Sequence, residues 1–265
     1  MDYETLVRRL GFCAGAEQTL LQTAAPAGPQ AVQALCGAAA EEAEQALRAA
    51  LAPDENGMKM LSCMLRAALH TRALYREKGI PEDIFWATAG FLPRFVNAHA
   101  ALHGAPAFAW GWWFWRQLSL REFRIGALEY ERTEQGGKPA VSLHIPAGAD
   151  LSATSLRASL RGAREFFAAF FPAFAGAEMV CSSWMLSPSL PALLPPSSNV
   201  LAFGRLFTVT KWDEESSACL DWIFPRRDMP LEALAGDTSL QRAAKAFLRG
   251  GGKIGWADGV LTREP

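Results

Sequence analysis

The sequence has no excess of either charge: 26 Lys and Arg stand against 27 Asp and Glu, a formal net charge of −1. The basic field that carries most non-specific nucleic-acid affinity is therefore missing, and nucleic acid is not an expected partner. Tyrosine is scarce, three residues against sixteen Phe and nine Trp. No cysteines are spaced C-x-x-C: Cys13, Cys36, Cys63, Cys181 and Cys219 are scattered and odd in number. Such a set fits reduced thiols in a cytoplasm, not a disulfide framework or a zinc site. No stretch reads as a membrane span either. The longest uncharged run, Met179 to Gly204, carries Pro188, Pro191, Pro195 and Pro196, six serines and Asn199. In lipid it would leave too many backbone groups unpaired. The first residues, MDYETLVRRL, open with acid and lack an apolar signal core. The expectation is a soluble, cytoplasmic protein without a membrane partner. The sequence does not reveal its oligomeric state.

What is present is a chain of 265 residues that changes character near its middle. Residues 1–118 read as helical and Ala-rich, because Val32, Leu35, Cys36, Ala39, Ala43, Leu47 and Ala50 recur at three- and four-residue steps. Leu61, Met64, Leu65, Ala68 and Leu69 repeat the pattern up to Gly79. Pro81 with Glu82 and Asp83 starts a third helix that runs towards Gly104 with a kink at Pro93. From residue 119 the period switches to two. Phe123–Glu131 and Val141–Pro146 read as strands around a Gln135-Gly136-Gly137-Lys138 turn. Residues 152–171 form an amphipathic helix, Met179–Leu186 a buried strand, and Asn199–Phe203 a short helical piece. Phe207–Trp212 and Ala218–Phe224 read as a hairpin, and Thr238-x-x-Gln241 is a capping box opening a last helix. The fold class is α+β: a helical amino-terminal domain (1–118) followed by a mixed-sheet α/β domain (119–265). A mixed sheet binds its ligand beyond the carboxyl end of a strand that feeds a helix. Here that junction is Leu143 to Ser152.

The runs FRIGALEYE, VSLHIPAGADLS, MVCSSWMLSP, PPSSNVLAFGRLF and TSLQRAAKAFLRGGGKIG resemble the GNAT-like acyltransferase-domain proteins of Gram-positive bacteria, and the resemblance covers most of the chain. It implies a GNAT-like second domain that takes acetyl-CoA or another acyl-CoA as co-substrate and passes the acyl group to a small amine or similar acceptor. It places the pantetheine arm along Val141–Pro146 and the pyrophosphate on the backbone around Gly148–Ser155. The cofactor-binding candidates are therefore Ile145, Pro146, Ala147, Gly148, Ala149 and Ser152, since unpaired amides and the helix dipole favour an anion there. Met179–Leu186 becomes the diverging neighbour strand. Asn199 falls where GNAT enzymes keep a group for the leaving thiolate. Asp150 puts a negative charge where the phosphate is expected. It motivates an alternative, a catalytically inactive GNAT-derived binding or regulatory module.

Acyl transfer to an amine needs a base with a pKa near neutrality. His144 is the first candidate because it titrates near pH 7 and ends a strand; the other reading is a histidine hydrogen-bonded beneath the helical cap. Glu129 and Glu131 share one strand face. Either could be a base through water, or the two could be a solvated pair on an edge strand. Cys181 could accept an acyl group as nucleophile, or simply pack in an apolar strand. Arg157, Arg161 and Arg164 make a strip that either meets a CoA phosphate or faces water. Gly250-x-Gly252-x-x-Gly255 follows a helix and so reads as a terminator, not a dinucleotide loop. His99 and His103 share a helical face without a third ligand, and no metal is assigned. Trp110, Trp112, Trp113 and Trp115 read as a clamp between the domains or a wall for an acyl chain or adenine.

Overall fold

The Ala-rich part of the chain folds as expected into helices, in a computed structural model that describes residues 1–109, 113–224 and 229–265. The chain divides into two units, Met1–Ile125 and Gly126–Pro265. The first contains α1 (Tyr3–Leu10), α2 (Ala14–Gln22), α3 (Pro29–Ala34), α4 (Ala40–Leu51), α5 (Met58–Lys78), α6 (Glu82–Ala89), α7 (Phe91–His103), α8 (Trp115–Leu118) and a short strand β1 (Glu122–Ile125). Helix α5 is the axis. Met60, Leu61, Cys63, Met64, Leu65, Ala67 and Ala68 are all buried, so its middle turns are covered on every side. Near its end Tyr75 meets Phe85 edge-on at 5.5 Å.

Two expected helices divide. The 32–50 pattern breaks at residues 35–39, where i→i−3 bonds from Leu35, Cys36 and Gly37 tighten the chain into a turn. The helix expected from Pro81 to Gly104 breaks at Gly90, giving α6 and α7. Pro93 therefore lies in the first turn of α7 and makes no kink, because an amide there has no intrahelical acceptor to lose. No helix among the described residues is long and apolar enough to cross a membrane.

The second unit contains β2 (Leu128–Gln135), β3 (Lys138–His144), α9 (Ala153–Phe170), β4 (Glu178–Ser183), α10 (Asn199–Gly204), β5 (Phe207–Asp213), α11 (Leu220–Ile223), α12 (Ser239–Arg249) and β6 (Trp256–Leu261). Its strands run in the order β2-β3-β4-β6-β5. Only β3 and β4 are parallel; the pairs β2/β3, β4/β6 and β5/β6 are antiparallel. The single strand expected over Phe123–Glu131 is interrupted at Gly126, whose φ of +62° turns the chain between β1 and β2. A side chain there would also meet the Ser159 Cβ at 3.1 Å. Gly136 and Gly137 both have positive φ, 56° and 75°, as a two-residue hairpin turn requires.

The hairpin expected between Phe207–Trp212 and Ala218–Phe224 does not form. β5 pairs instead with the carboxy-terminal β6, and residues 220–223 are the helix α11. The β5/β6 register carries a bulge, since Val209 faces Gly259 and Lys211 faces Asp258, leaving Thr210 as the extra residue. α12 has its capping box, with Thr238 and Gln241 bonded reciprocally. Its Ala244 joins Trp184, Leu190, Leu201, Ile223, Phe224 and Ile254 in a core beside the sheet.

Candidate active site

β3 and β4 run in parallel register from Ala140↔Glu178 to Leu143↔Cys181, and there the ladder ends. β4 continues through Ser182 and Ser183, whose registered partners are Asp258 and Ala257 of β6. The last residue of β3, His144, pairs backward with Glu129 of β2. The parallel ladder therefore ends one residue before β3 does, directly before the loop that leads into α9.

Alternation across the strands sorts the side chains. Residues opposite one another in a ladder share a face, so Glu129, Glu131, Ser142 and His144 lie together on one side of the sheet. Tyr130 lies on the other side with α9, its hydroxyl 2.8 Å from Ser159 Oγ. On the first side His144 Nε2 is 3.0 Å from Glu131 Oε2. The His144 side chain is 36% exposed and that of Glu131 10%. A carboxylate held on one ring nitrogen fixes the imidazole and stabilises its protonated form, which is how a base is prepared to accept a proton. Glu129 and Glu131 are both buried, which rules out the solvated edge pair entertained for them. Glu131 and His144 are each candidates from the sequence, and the fold joins them as a pair. The signal was available: counting outward from a Gly136-Gly137 turn places Glu129 opposite His144 and Glu131 on its diagonal.

The loop from Ile145 to Ser152 is organised by its own acid. The Pro146 carbonyl accepts the Ala149 amide at 3.0 Å, and Gly148 adopts φ +75°. Asp150 accepts the Ser152 amide at 2.9 Å and the Ser152 hydroxyl at 3.1 Å. Ser152 in turn caps α9 by accepting the Ser155 amide at 3.4 Å. The Ser152 amide, followed by its hydroxyl, holds the Asp150 carboxyl below the ordinary carboxylate range. Three of the amides expected to receive a phosphate, those of Ala149, Ser152 and Ser155, are thus already engaged. Those of Ala153 and Thr154, in the first turn, have no intrahelical acceptor and keep the helix's positive end available.

The remaining candidates separate. Cys181 is buried, and desolvation pushes its thiol up to about 12. By register with Leu143 its side chain falls on the α9 side of the sheet, where desolvation disfavours the thiolate that an acyl-accepting nucleophile would need. Asn199 is the first residue of α10 and is exposed. Arg164 pairs with Glu264 at 2.7 Å, and Arg157 donates to the Pro265 carbonyl at 2.5 Å. That part of the arginine strip holds the end of the chain. His99 and His103 stack at 4.4 Å, with His99 Nδ1 2.8 Å from the Ala105 carbonyl. Trp113 packs on Phe91 and Phe95, both at 6.0 Å, while Trp110 and Trp112 lie outside the described residues.

Residues 122–261 match the family model of the GNAT-like C-terminal domain. The chain belongs to the GNAT-like C-terminal domain family. Residues 1–120 match the N-acyltransferase N-terminal domain. No curated protein matches the chain. Among solved structures, this GNAT-like chain is similar to an acyltransferase in complex with decanoyl-CoA and teicoplanin, at 26% identity and a TM-score of 0.81, over 100% of this chain and 88% of that one. An acyltransferase in complex with decanoyl-CoA matches at 25% identity and 0.80, over 98% and 87%. An acyltransferase in complex with CoA and 10C-teicoplanin matches at 25% identity and 0.74, over the whole of both chains. The helical amino-terminal part followed by a mixed sheet is the architecture of these acyltransferases, as the resemblance implied.

Proposed function

We propose that the chain transfers an acyl group from acyl-CoA to the amine of an acceptor, with His144 as the general base and Glu131 as the residue that positions it. The observation that carries this reading is the His144–Glu131 pair, 3.0 Å apart, at the end of the β3/β4 ladder. The family match and the acyl-CoA bound by the similar acyltransferases support it. The acceptor nitrogen bonds to the thioester carbonyl carbon and the carbon–sulfur bond breaks. His144 takes the proton that the nitrogen loses, and the departing thiolate takes a proton from the imidazolium or from water. Asn199 can donate a hydrogen bond to that sulfur but has no proton to give, because a carboxamide does not ionise.

The first-turn amides of α9 at Ala153 and Thr154 would hold the pyrophosphate, and the end of β3 would hold the pantetheine arm. The acyl group is of medium length, by analogy with the decanoyl-CoA of the similar enzymes, and the acceptor need not be small, given teicoplanin in one of them. Titration calorimetry with decanoyl-CoA and acetyl-CoA tests this: binding, tighter for decanoyl-CoA, is expected. An absence of heat with either at millimolar concentration would sink the proposal. The Asp150 carboxylate at the α9 amino terminus favours a second reading, a module that binds acyl-CoA without transfer. Formation of an acylated amine distinguishes the two.

A further inference from the structure

Helix α7 of the first unit ends on two imidazoles that acyl transfer does not use. His99 and His103 stand four residues apart, the spacing that sets two side chains one above the other on a single helical face. Their ring centroids are 4.4 Å apart and the rings are tilted by 37°. His99 is half-buried and His103 exposed, so the pair opens to water on one side. Among the described residues neither ring has an acidic partner.

The first ring is held in one orientation. His99 Nδ1 lies 2.8 Å from the Ala105 carbonyl. A carbonyl oxygen only accepts, so Nδ1 carries the proton, and in the neutral ring the free lone pair sits on Nε2. Histidines that ligate a metal are commonly oriented in this way, with one nitrogen donating to a carbonyl and the other left to bind. The bond spans the Gly104 cap, whose φ of +75° turns the chain back and whose amide donates to the Ala100 carbonyl at 2.9 Å. His103, exposed on the last turn, is free to bring a ring nitrogen to the same point. Its place in the helix helps: the last turn of α7 is the negative end of the helix dipole, where a cation is stabilised.

We infer that His99 and His103 chelate one divalent transition-metal ion of the Zn²⁺, Ni²⁺ or Cu²⁺ kind. Imidazole nitrogen suits these ions, whereas Mg²⁺ and Ca²⁺ take oxygen ligands. Two protein ligands leave the other coordination positions to water, so the site is open and exchangeable, unlike a closed structural zinc centre. The lack of a third histidine or acid, which leaves the pair unassigned from the sequence, makes the site weak without removing the chelate. Its chemistry is independent of acyl transfer.

Calorimetric titration of the full chain with Ni²⁺ is the test. One ion per chain is expected to bind, and Mg²⁺ at the same concentration to give no heat. H103A and H99A should each lower the Ni²⁺ affinity at least about tenfold, the least that losing even a ligand's supporting partner costs. H103A/A101H keeps two histidines on α7 but sets them two residues apart, on opposite sides of the helix, and should bind no better than H103A. Cys13, whose amide donates to Asn97 of the same helix at 2.7 Å, supplies the competing thiol; C13A should leave Ni²⁺ binding unchanged. An absence of saturable Ni²⁺ binding overturns the inference. So does binding that neither single histidine variant weakens, that H103A/A101H restores, or that C13A abolishes. Among the described residues the His103 side chain makes no hydrogen bond, so H103A carries the test if H99A, which loses the Ala105 contact, fails to fold.

Discussion

The two faces of the second unit's sheet are made by the same strands and have opposite chemistry. One face carries Tyr130, Val141, Leu143 and Cys181 under α9, a helix that brings Leu156, Leu160, Ala163 and Phe167 down onto it. The other carries Glu129, Glu131, Ser142, His144, Ser182 and Asp258, with Val180 and Val260 among them. Neighbouring residues one position apart, such as Cys181 and Ser182, thus have unrelated jobs. One side chain is buried, and desolvation pushes its thiol up to about 12; the other is hydrogen-bonded to Trp256 and Asp258. The lesson is that in this domain the reactivity of a residue follows from the face it lands on before it follows from its side chain.

Three experiments would break or sharpen this contrast. The largest effect is expected on the polar face: His144→Ala should lower acyl transfer about 10²- to 10⁴-fold with little change in melting temperature, read by steady-state kinetics beside calorimetric unfolding. A large loss of stability with normal residual turnover would reverse the assignment of the two faces. Next, Phe167→Ala on the α9 side removes a ring packed against Phe166, Phe171 and Phe174. It should cost about 3–5 kcal/mol in denaturant unfolding while the surviving folded fraction keeps its KM for acyl-CoA. The smallest effect concerns Cys181. With its thiol pushed up to about 12, it should resist alkylation by iodoacetamide in the native state from pH 7 to 9 and react only on unfolding, as followed by peptide mass mapping. The sign of its contribution to stability is also fixed. The unfolded chain releases this proton in the ordinary thiol range while the folded chain retains it. That part of the stability is therefore whole at neutral pH and declines as the solution becomes alkaline. Rapid native labelling of Cys181 would show that the apolar face opens.

Much of this was legible in the sequence wherever the determinants are local. The Thr238 capping box, the double-glycine hairpin turn and the α9 stripe each depend on residues within a few positions, and each is found in the structure. The errors cluster where the partner is distant. β5 looked outward for the next apolar run and found Ala218–Phe224 in the sequence, whereas its true partner is the segment from Trp256 to Leu261. That strand contains Asp258 and Gly259, poor strand formers taken alone. A Cβ at Gly259 would stand 3.1 Å from Thr208 O and from the Leu186 side chain, closer than ordinary contact. Such a reason exists only once the sheet has assembled. Asp258 was invisible for the same cause. His144 and Glu131 were both noticed, but as separate candidates, because their adjacency lies in a diagonal of the register and not in a motif.

The bulge at Thr210 has a consequence for how this domain tolerates changes in length. Up to Val209 and from Lys211 onward the two flanks of β5 are each in phase with β6, and Thr210 is a spare residue between them. Loss of one residue near this point can be absorbed by straightening the strand, with Lys211 still opposite Asp258 and Trp212 still opposite Ala257. An added residue has no such slack to consume and must either double the bulge or invert every side chain on one flank. The sheet's outer strand should therefore forgive deletion more readily than insertion, an asymmetry that composition alone does not predict.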